Sequence, residues 1–73
     1  MNKIPYQKVK YRELKDISDL AVVVKCYNGS EAILPKSQII EHQFEDALLV
    51  PCWLVERKDI QAANQKFWRE RRS

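Results

Sequence analysis

Residues 21–39 constrain the fold more than any other stretch, because they predict two apolar strands joined by a tight turn. The sequence AVVVKCYNGSEAILPKSQI places Asn28 and Gly29 between a β-branched run and a second apolar run. Asn-Gly in this setting is a strong hairpin signal, since a type I′ turn needs positive φ at both central residues. Pro35 closes the second run, because proline cannot donate a ladder hydrogen bond. The segment therefore predicts a β-hairpin with a two-residue loop.

A two-residue loop sets the pairing of the two strands, and hence the faces on which their side chains lie. We expect Val24 to pair with Ile33, and Val23 to pair with Leu34. Val22, Val24 and Ile33 then share one face, and Val23 and Leu34 share the other. Because both faces carry bulky apolar groups, the hairpin is expected either at the centre of a sheet or in the wall of a barrel.

A further strand is predicted before the hairpin, from Tyr6 to Glu13, where polarity alternates along the chain. Val9 and Tyr11 are expected to face inward. The opposite face then carries one tyrosine and three basic residues, namely Tyr6, Lys8, Lys10 and Arg12.

The residues after Pro35 predict a single turn, a short strand and a helical C-terminal segment. Ala47–Val50 reads as the strand, and Pro51 suits the first turn of a helix. From Ile60 to Arg72 apolar residues recur at helical spacing, and the pattern leaves open whether residues 53–72 form one helix or two. The predicted fold is an α+β single domain over residues 1–73, with a β-rich core at about 6–50 and a helical segment at about 51–72. Its sheet is either a small twisted antiparallel sheet or an open β-barrel of about four strands.

Several function classes are disfavoured by composition. The chain has 73 residues and a single glycine, which argues against a glycine-rich loop that cradles phosphate. One histidine and two separated cysteines make a zinc site improbable, and we expect Cys26 and Cys52 to be reduced thiols. No apolar run approaches the ~20 residues that cross a bilayer, and the charged start, which has no apolar stretch, is not expected to be a secretory signal. The sequence therefore predicts a cytoplasmic, non-enzymatic protein without a cofactor and without a membrane partner.

Charge is distributed unevenly along the chain. Residues 1–15 carry five basic residues against Glu13 alone, and residues 57–73 carry six against Asp59 and Glu70. Residues 16–56 reverse the balance, with seven acidic residues and two lysines. Basic ends of this kind indicate either a surface for nucleic acid or an acidic protein, or two solvated ends of a soluble chain.

Two groups of candidate binding residues follow from this distribution. Lys8, Lys10 and Arg12 would stand about 6–7 Å apart on one strand face, close to the separation of successive phosphates. Tyr6 would serve among them as a base-stacking platform, or would instead pack on a neighbour while the lysines protect an edge strand. The second group lies near the C-terminus and comprises Lys66, Trp68, Arg69, Arg71 and Arg72. An exposed Trp68 beside arginines would suit the anchor of a protein partner.

The acidic centre permits an opposite interpretation. Glu41, Glu45, Asp46 and Glu56, with Asp16 and Asp19, could imitate phosphate spacing and occupy a nucleic-acid-binding groove of another protein, or could simply keep the chain soluble.

About half of the chain, residues 21–58, resembles a small domain common in phage and prophage proteins. The matching pieces are Asn28-Gly29, the stretch Leu34–Ile39 (LPKSQI) and the stretch Val50–Lys58 (VPCWLVERK). The chain departs from that pattern at Ile33, where an aromatic residue is frequent, and at Cys52, where an acidic residue is frequent. The resemblance implies a mobile-element protein that is intracellular and not an enzyme, and it transfers no functional residue.

Three functions remain open at this point. The first is a non-enzymatic phage-type protein that docks on a host nucleic-acid-handling protein, for example as a host-defence inhibitor of the anti-CRISPR kind. The second is a small basic DNA- or RNA-binding accessory or regulatory protein. The third is a structural module that forms a homodimer through Trp53, Phe67 or Trp68.

Overall fold

The fold is a single antiparallel sheet with one short helix, seen in a computed structural model that describes residues 3–70. Its elements are β1 (Lys3–Asp16), β2 (Ala21–Cys26), β3 (Glu31–Pro35), a 3₁₀ turn (Lys36–Gln38), β4 (Ala47–Pro51), α1 (Cys52–Lys58) and β5 (Lys66–Glu70). This arrangement confirms the α+β class. Over residues 3–70, no helix has the length and apolar character needed to cross a membrane.

The 14-residue strand β1 organises the sheet, because three other strands pair with it. The strand order is β3-β2-β1-β4, and β5 also pairs with β1. Since β4 and β5 both pair with Tyr6 and Gln7, they must lie on opposite edges of β1. Consequently β5 and β2 follow one another along the same edge. The sheet has five strands rather than the expected four, and it does not close into a barrel.

A β-bulge at Arg12 keeps the two halves of β1 on one core. Tyr11 pairs with Cys26 and Glu13 with Lys25, so Arg12 is the extra residue in the register. Side chains alternate between faces along a strand, and one extra residue therefore reverses the alternation. Val9 before the bulge and Leu14 after it consequently pack against the same core.

The main core lies between one face of the sheet and α1. It contains Val9, Val22, Val24, Leu34, Leu48, Val50, Leu54, Val55 and Ile60, all buried. The opposite face of β1 and β4 carries a second, smaller buried group, which consists of Tyr6, Ala47, Leu49 and Pro51. The sheet is thus covered on both faces around β1 and β4.

The hairpin between β2 and β3 forms, but its register differs by one residue from the expected one. Val23 pairs with Ile33, because the loop has three residues, not two. Cys26 and Ser30 flank this loop, with Cys26 N donating to Ser30 O at 2.8 Å and Gly29 N donating to Cys26 O at 3.1 Å. Gly29 adopts φ +92° while Asn28 does not adopt a positive φ, which is the pattern of a type I turn followed by a bulge.

The shifted register overturns the prediction that the hairpin is covered on both faces. Leu34 is fully buried, whereas Ile33 is 53 % exposed on the opposite face. The strand β3 also stands at the end of the sheet order, not at its centre. The hairpin therefore buries one face only, which is usual for antiparallel sheets.

The predicted C-terminal helix is wrong beyond Lys58. The helix α1 ends at Asp59, which adopts the left-handed conformation (φ 54°), and the chain returns as the strand β5. Strand β2 pairs with β1 only from Tyr11 onwards, so the first part of that edge is free to accept another strand. Pairing with β1 overrides the helical propensity of the sequence. Within residues 51–70 of the predicted helical segment, only Cys52–Lys58 is an α-helix.

Candidate functional site

The most distinctive surface combines cations with partly exposed aromatic rings on the sheet face opposite α1. We call it the cation–aromatic face and define it as Lys8, Lys10, Phe44, Phe67 and Arg69. Cross-strand partners share a face of the sheet. Lys8 pairs with Leu49, Lys10 with Ala47 and Phe67 with Tyr6, which places these side chains above the smaller buried group.

Two neighbouring rings on this face each carry one cation at contact distance. The Lys8 Nζ atom lies 4.3 Å from the centroid of the Phe44 ring. The Phe44 and Phe67 rings meet edge to face, with centroids 5.7 Å apart and planes at 67°. The guanidinium carbon of Arg69 lies 5.9 Å from the Phe67 centroid. Cation–π contacts at exposed sites are worth about 0.5–1 kcal/mol each, so they favour positions of Lys8 and Arg69 over the rings.

Tyr6 does not form the predicted stacking platform. Its side chain is fully buried, and its hydroxyl group donates to Glu70 O at 3.5 Å. It lies between Pro51 of β4 and Phe67 of β5, which pair with it on the two sides. The structure therefore agrees with the alternative, in which Tyr6 packs on its neighbours. The partly exposed rings near the lysines are Phe44 and Phe67.

Lys10 is a cation that a ligand could recruit. Its ammonium group lies 3.9 Å from an Asp46 carboxylate oxygen, and both side chains are well exposed. Surface ion pairs of this geometry contribute between nothing and about 1 kcal/mol. A phosphate group could therefore replace Asp46 as the partner of Lys10 at little energetic expense.

Arg12 departs from the predicted row of three evenly spaced cations. It is exposed, but it occupies the bulge of β1. There it lines a shallow depression with Glu13, Lys25 and Glu31, away from the aromatic rings. Lys8 and Lys10 remain on one face, and Arg12 does not continue their row.

Strand β5 divides the predicted C-terminal group between two faces. Lys66 and Trp68 pair with Gln7 and Pro5, so they lie on the α1 side, whereas Arg69 pairs with Ile4 and lies on the cation–aromatic face. Arg71 and Arg72 lie outside the described residues.

The charge of Lys66 affects the pKa of the Cys52 thiol at the start of α1. Burial raises the pKa of Cys52 above the usual cysteine value, the charge of Lys66 lowers it, and the charge of Glu56 raises it. Lys66 therefore acts on the start of α1 and not on the cation–aromatic face. Both cysteines are free thiols.

The acidic centre is dispersed over the described surface. Asp16 lies 3.4 Å from the Lys36 ammonium group, and Asp46 pairs with Lys10. Among residues 3–70, no group of three or more His, Cys, Asp or Glu side chains is arranged to hold a metal ion.

Sequence reasoning missed Phe44. It lies in the polar stretch EHQFED, where a single aromatic residue carries no periodic signal. The only hint is that one large apolar side chain in a polar loop needs a surface to pack on, and Lys8 with Phe67 provides that surface.

Comparison with known proteins adds no assignment: no family model, curated protein or solved structure matches the chain. The functional argument therefore depends on the geometry of the cation–aromatic face.

Proposed function

We propose that this chain is a non-enzymatic protein that binds nucleic acid through the cation–aromatic face. The observation that carries the proposal is the contact of Lys8 Nζ with the Phe44 ring at 4.3 Å, next to the Phe44–Phe67 pair. Nucleic acid presents phosphates to cations and base faces to aromatic rings, and proteins that bind single strands combine both features. In this proposal Phe44, in contact with Lys8, takes the stacking role that the sequence left as one of two alternatives for Tyr6.

Two further features support this proposal. Lys10 has only a weak, exposed partner in Asp46, so its charge is available to a phosphate. Arg69 adds a third cation on the same face, over the Phe67 ring. Binding that neutralises Z phosphates of a single strand should weaken with salt with a slope of about −0.7Z in a log–log plot.

The test is a titration of a fluorescently labelled oligonucleotide at low salt, followed by anisotropy. We compare the wild type with the double variant Lys8→Met/Lys10→Met, in which methionine keeps the apolar stem and removes the charge. The matched control is Lys58→Met, which removes one exposed lysine from the C-terminal end of α1, on the other side of the sheet.

The expected result is binding that falls steeply with salt and weakens at least tenfold in the double variant. The Lys58→Met control should bind as the wild type does. Absence of any oligonucleotide binding at low salt would reject the proposal, and so would equal affinities for the wild type and the double variant.

Docking on a host protein is the second candidate function, and it is favoured by two exposed indoles. Trp53 and Trp68 are 47 % and 58 % exposed, respectively. Trp68 pairs with Pro5, the residue before Tyr6. Trp53 comes two residues after Pro51, which pairs with Tyr6 on β4. Both tryptophans therefore belong to one end of the sheet. Tryptophan is enriched at interface hot spots.

This second candidate has its own test. A pull-down from nuclease-treated bacterial lysate should recover a stoichiometric protein with the wild type and lose it with Trp53→Ala/Trp68→Ala. Retention of the same protein by the double variant would reject docking through the indoles.

The resemblance to phage and prophage domains supports the remaining parts of the proposal. These are the mobile-element origin, the cytoplasmic location in a bacterial host and a host-defence role, and they stay predictions. A homodimer through Trp53, Phe67 or Trp68 also stays a prediction, and a monomeric mass by light scattering would reject it.

A further inference from the structure

A groove opens beside Lys8 and Lys10, between the β2–β3 loop and the segment that leads into β5. It encloses about 450 Å³ and is lined by Lys8, Lys10, Tyr27, Gln61, Ala62, Ala63 and Gln65. Small-molecule sites occupy about 300–1,000 Å³, so the groove is large enough for a compact ring system. Lys8 belongs both to this groove and to the cation–aromatic face.

The groove exists because two strands share one edge of β1 without meeting. Pairing with β5 ends at Gln7, and pairing with β2 begins at Tyr11. Between them, Ala63 N donates to Lys8 O at 2.9 Å, which holds the connecting segment against the edge. The groove is therefore a fixed consequence of the topology.

Hydrogen bonds join the β2–β3 loop, which forms one wall of the groove, to Gln61 in the segment before β5, which forms the other wall. Asn28 N donates to Gln61 Oε1 at 3.1 Å, and Gln61 N donates to Ser30 Oγ at 3.1 Å. The Ser30 hydroxyl group donates in turn to Asn28 Oδ1 at 2.6 Å. This network positions Tyr27, whose side chain is 64 % exposed, on the hairpin side.

We propose that the groove takes an unpaired nucleobase, so that the nucleic acid bound by this chain is single-stranded. The proposal rests on the proposed function and specifies its ligand. Tyr27 offers an exposed ring on which a base can stack. The Nε2 group of Gln61, whose Oε1 atom accepts from Asn28 N, and the amide of Gln65 are hydrogen-bonding groups for a base edge. Lys8 and Lys10 stand beside the groove to receive the adjoining phosphates.

A duplex does not satisfy this arrangement, because its bases are stacked and paired and their faces are closed to Tyr27. A single strand can place one base in the groove while its backbone continues over Lys8 towards Phe44. Base–aromatic stacking of this kind changes affinity by about fivefold to 150-fold per base.

The test compares three labelled ligands with equal numbers of phosphates: oligothymidylate, a duplex, and an abasic strand with the same backbone. The proteins are the wild type, Tyr27→Ala, Tyr27→Phe and Trp53→Ala, the last being a matched control that removes an exposed aromatic ring on the α1 side. Circular dichroism verifies that each variant is folded.

We expect oligothymidylate to bind the wild type at least fivefold more tightly than the duplex or the abasic strand. Tyr27→Ala should lose that preference, while Tyr27→Phe and Trp53→Ala should keep it. Equal binding of all three ligands, or a preference unchanged in Tyr27→Ala, would overturn this inference and leave the proposed function standing. Absence of binding to every ligand would overturn both.

Discussion

The ammonium group of Lys8 lies 4.3 Å from the centre of the Phe44 ring, although β1 and the segment before β4 are far apart in the sequence. This contact packs an aromatic side chain over the part of β1 that presents Lys8 and Lys10 on one face. The Phe44 ring also meets Phe67 of β5 edge to face. Lys8, Phe44 and Phe67 thus join three parts of the chain and favour a position of the Lys8 charge beside the two rings.

The Lys8–Phe44 contact should be measurable as a coupling energy. We expect Phe44→Leu to lower the free energy of unfolding by about 1 kcal/mol, because it removes an edge-to-face aromatic pair. In a double-mutant cycle with Lys8→Met, the coupling should be about 0.5–1 kcal/mol. Urea denaturation of the four proteins gives the value, and strictly additive effects would contradict the contact.

Tyr6 should prove structural. We expect Tyr6→Ala to lower the free energy of unfolding by about 3–5 kcal/mol, as for other buried aromatic side chains. Tyr6→Phe should have little effect, because the hydrogen bond to Glu70 O is long, at 3.5 Å. Because phenylalanine would stack on a base as tyrosine does, the affinity test uses Tyr6→Leu at a temperature at which circular dichroism shows it to be folded, and its oligonucleotide affinity should equal that of the wild type. A marked loss of affinity in this folded variant would restore Tyr6 as a ligand-binding residue.

Asn28 should stabilise the hairpin through its side chain. Asn28 Oδ1 accepts hydrogen bonds from Ser30 N at 2.9 Å and from the Ser30 hydroxyl group at 2.6 Å. We expect Asn28→Ala to lower the free energy of unfolding by about 1 kcal/mol or more. If a positive φ were instead the reason for asparagine at this position, Asn28→Gly would be at least as stable as the wild type. Urea denaturation of Asn28→Ala and Asn28→Gly therefore distinguishes the side-chain hydrogen bonds from a backbone preference.

The Cys52 thiol should react with iodoacetamide only at higher pH than an ordinary cysteine, because burial raises its pKa and the thiolate is the reactive form. Lys66→Met should raise the pKa further, and Glu56→Gln should lower it. Since the native pKa is raised, this group contributes stability below the pKa of an unfolded cysteine and loses it as the pH rises through the native pKa. Mass spectrometry of the Cys52 peptide measures the rate of alkylation at each pH. A midpoint of the rate–pH curve below that of a cysteine-containing model peptide would contradict this environment.

Local patterns predicted the hairpin and the short strand β4, since both depend on neighbouring residues. Alternation and the Asn-Gly signal located β1, β2 and β3, although β1 extends beyond the predicted Tyr6–Glu13 to Lys3–Asp16, and Pro35 does end β3. The register failed by one residue because Asn-Gly also suits a three-residue loop in which only Gly29 has a positive φ. That single shift moved Ile33 from the expected core to the surface.

Features that depend on pairing between residues distant in the sequence were not predicted. The strand β5 forms because an edge of β1 is unoccupied at Lys3–Gln7, which no local pattern in Lys66–Glu70 reveals. Tyr6 is buried because β4 and β5 pair with it on either side. Phe44 belongs to the cation–aromatic face because it contacts Lys8, which is distant in the sequence. The lysines of the site were predicted from their alternation, whereas its aromatic rings were not.

The most direct test of the central claim is to map an oligothymidylate titration by amide nitrogen–proton NMR on the wild-type protein. We expect progressive shifts at Lys8, Lys10, Phe44, Phe67 and Arg69, while Ile33 on the edge strand β3 and Lys58 at the end of α1 stay unchanged. Absence of shifts, or shifts concentrated around Ile33 or Lys58, would contradict the central claim.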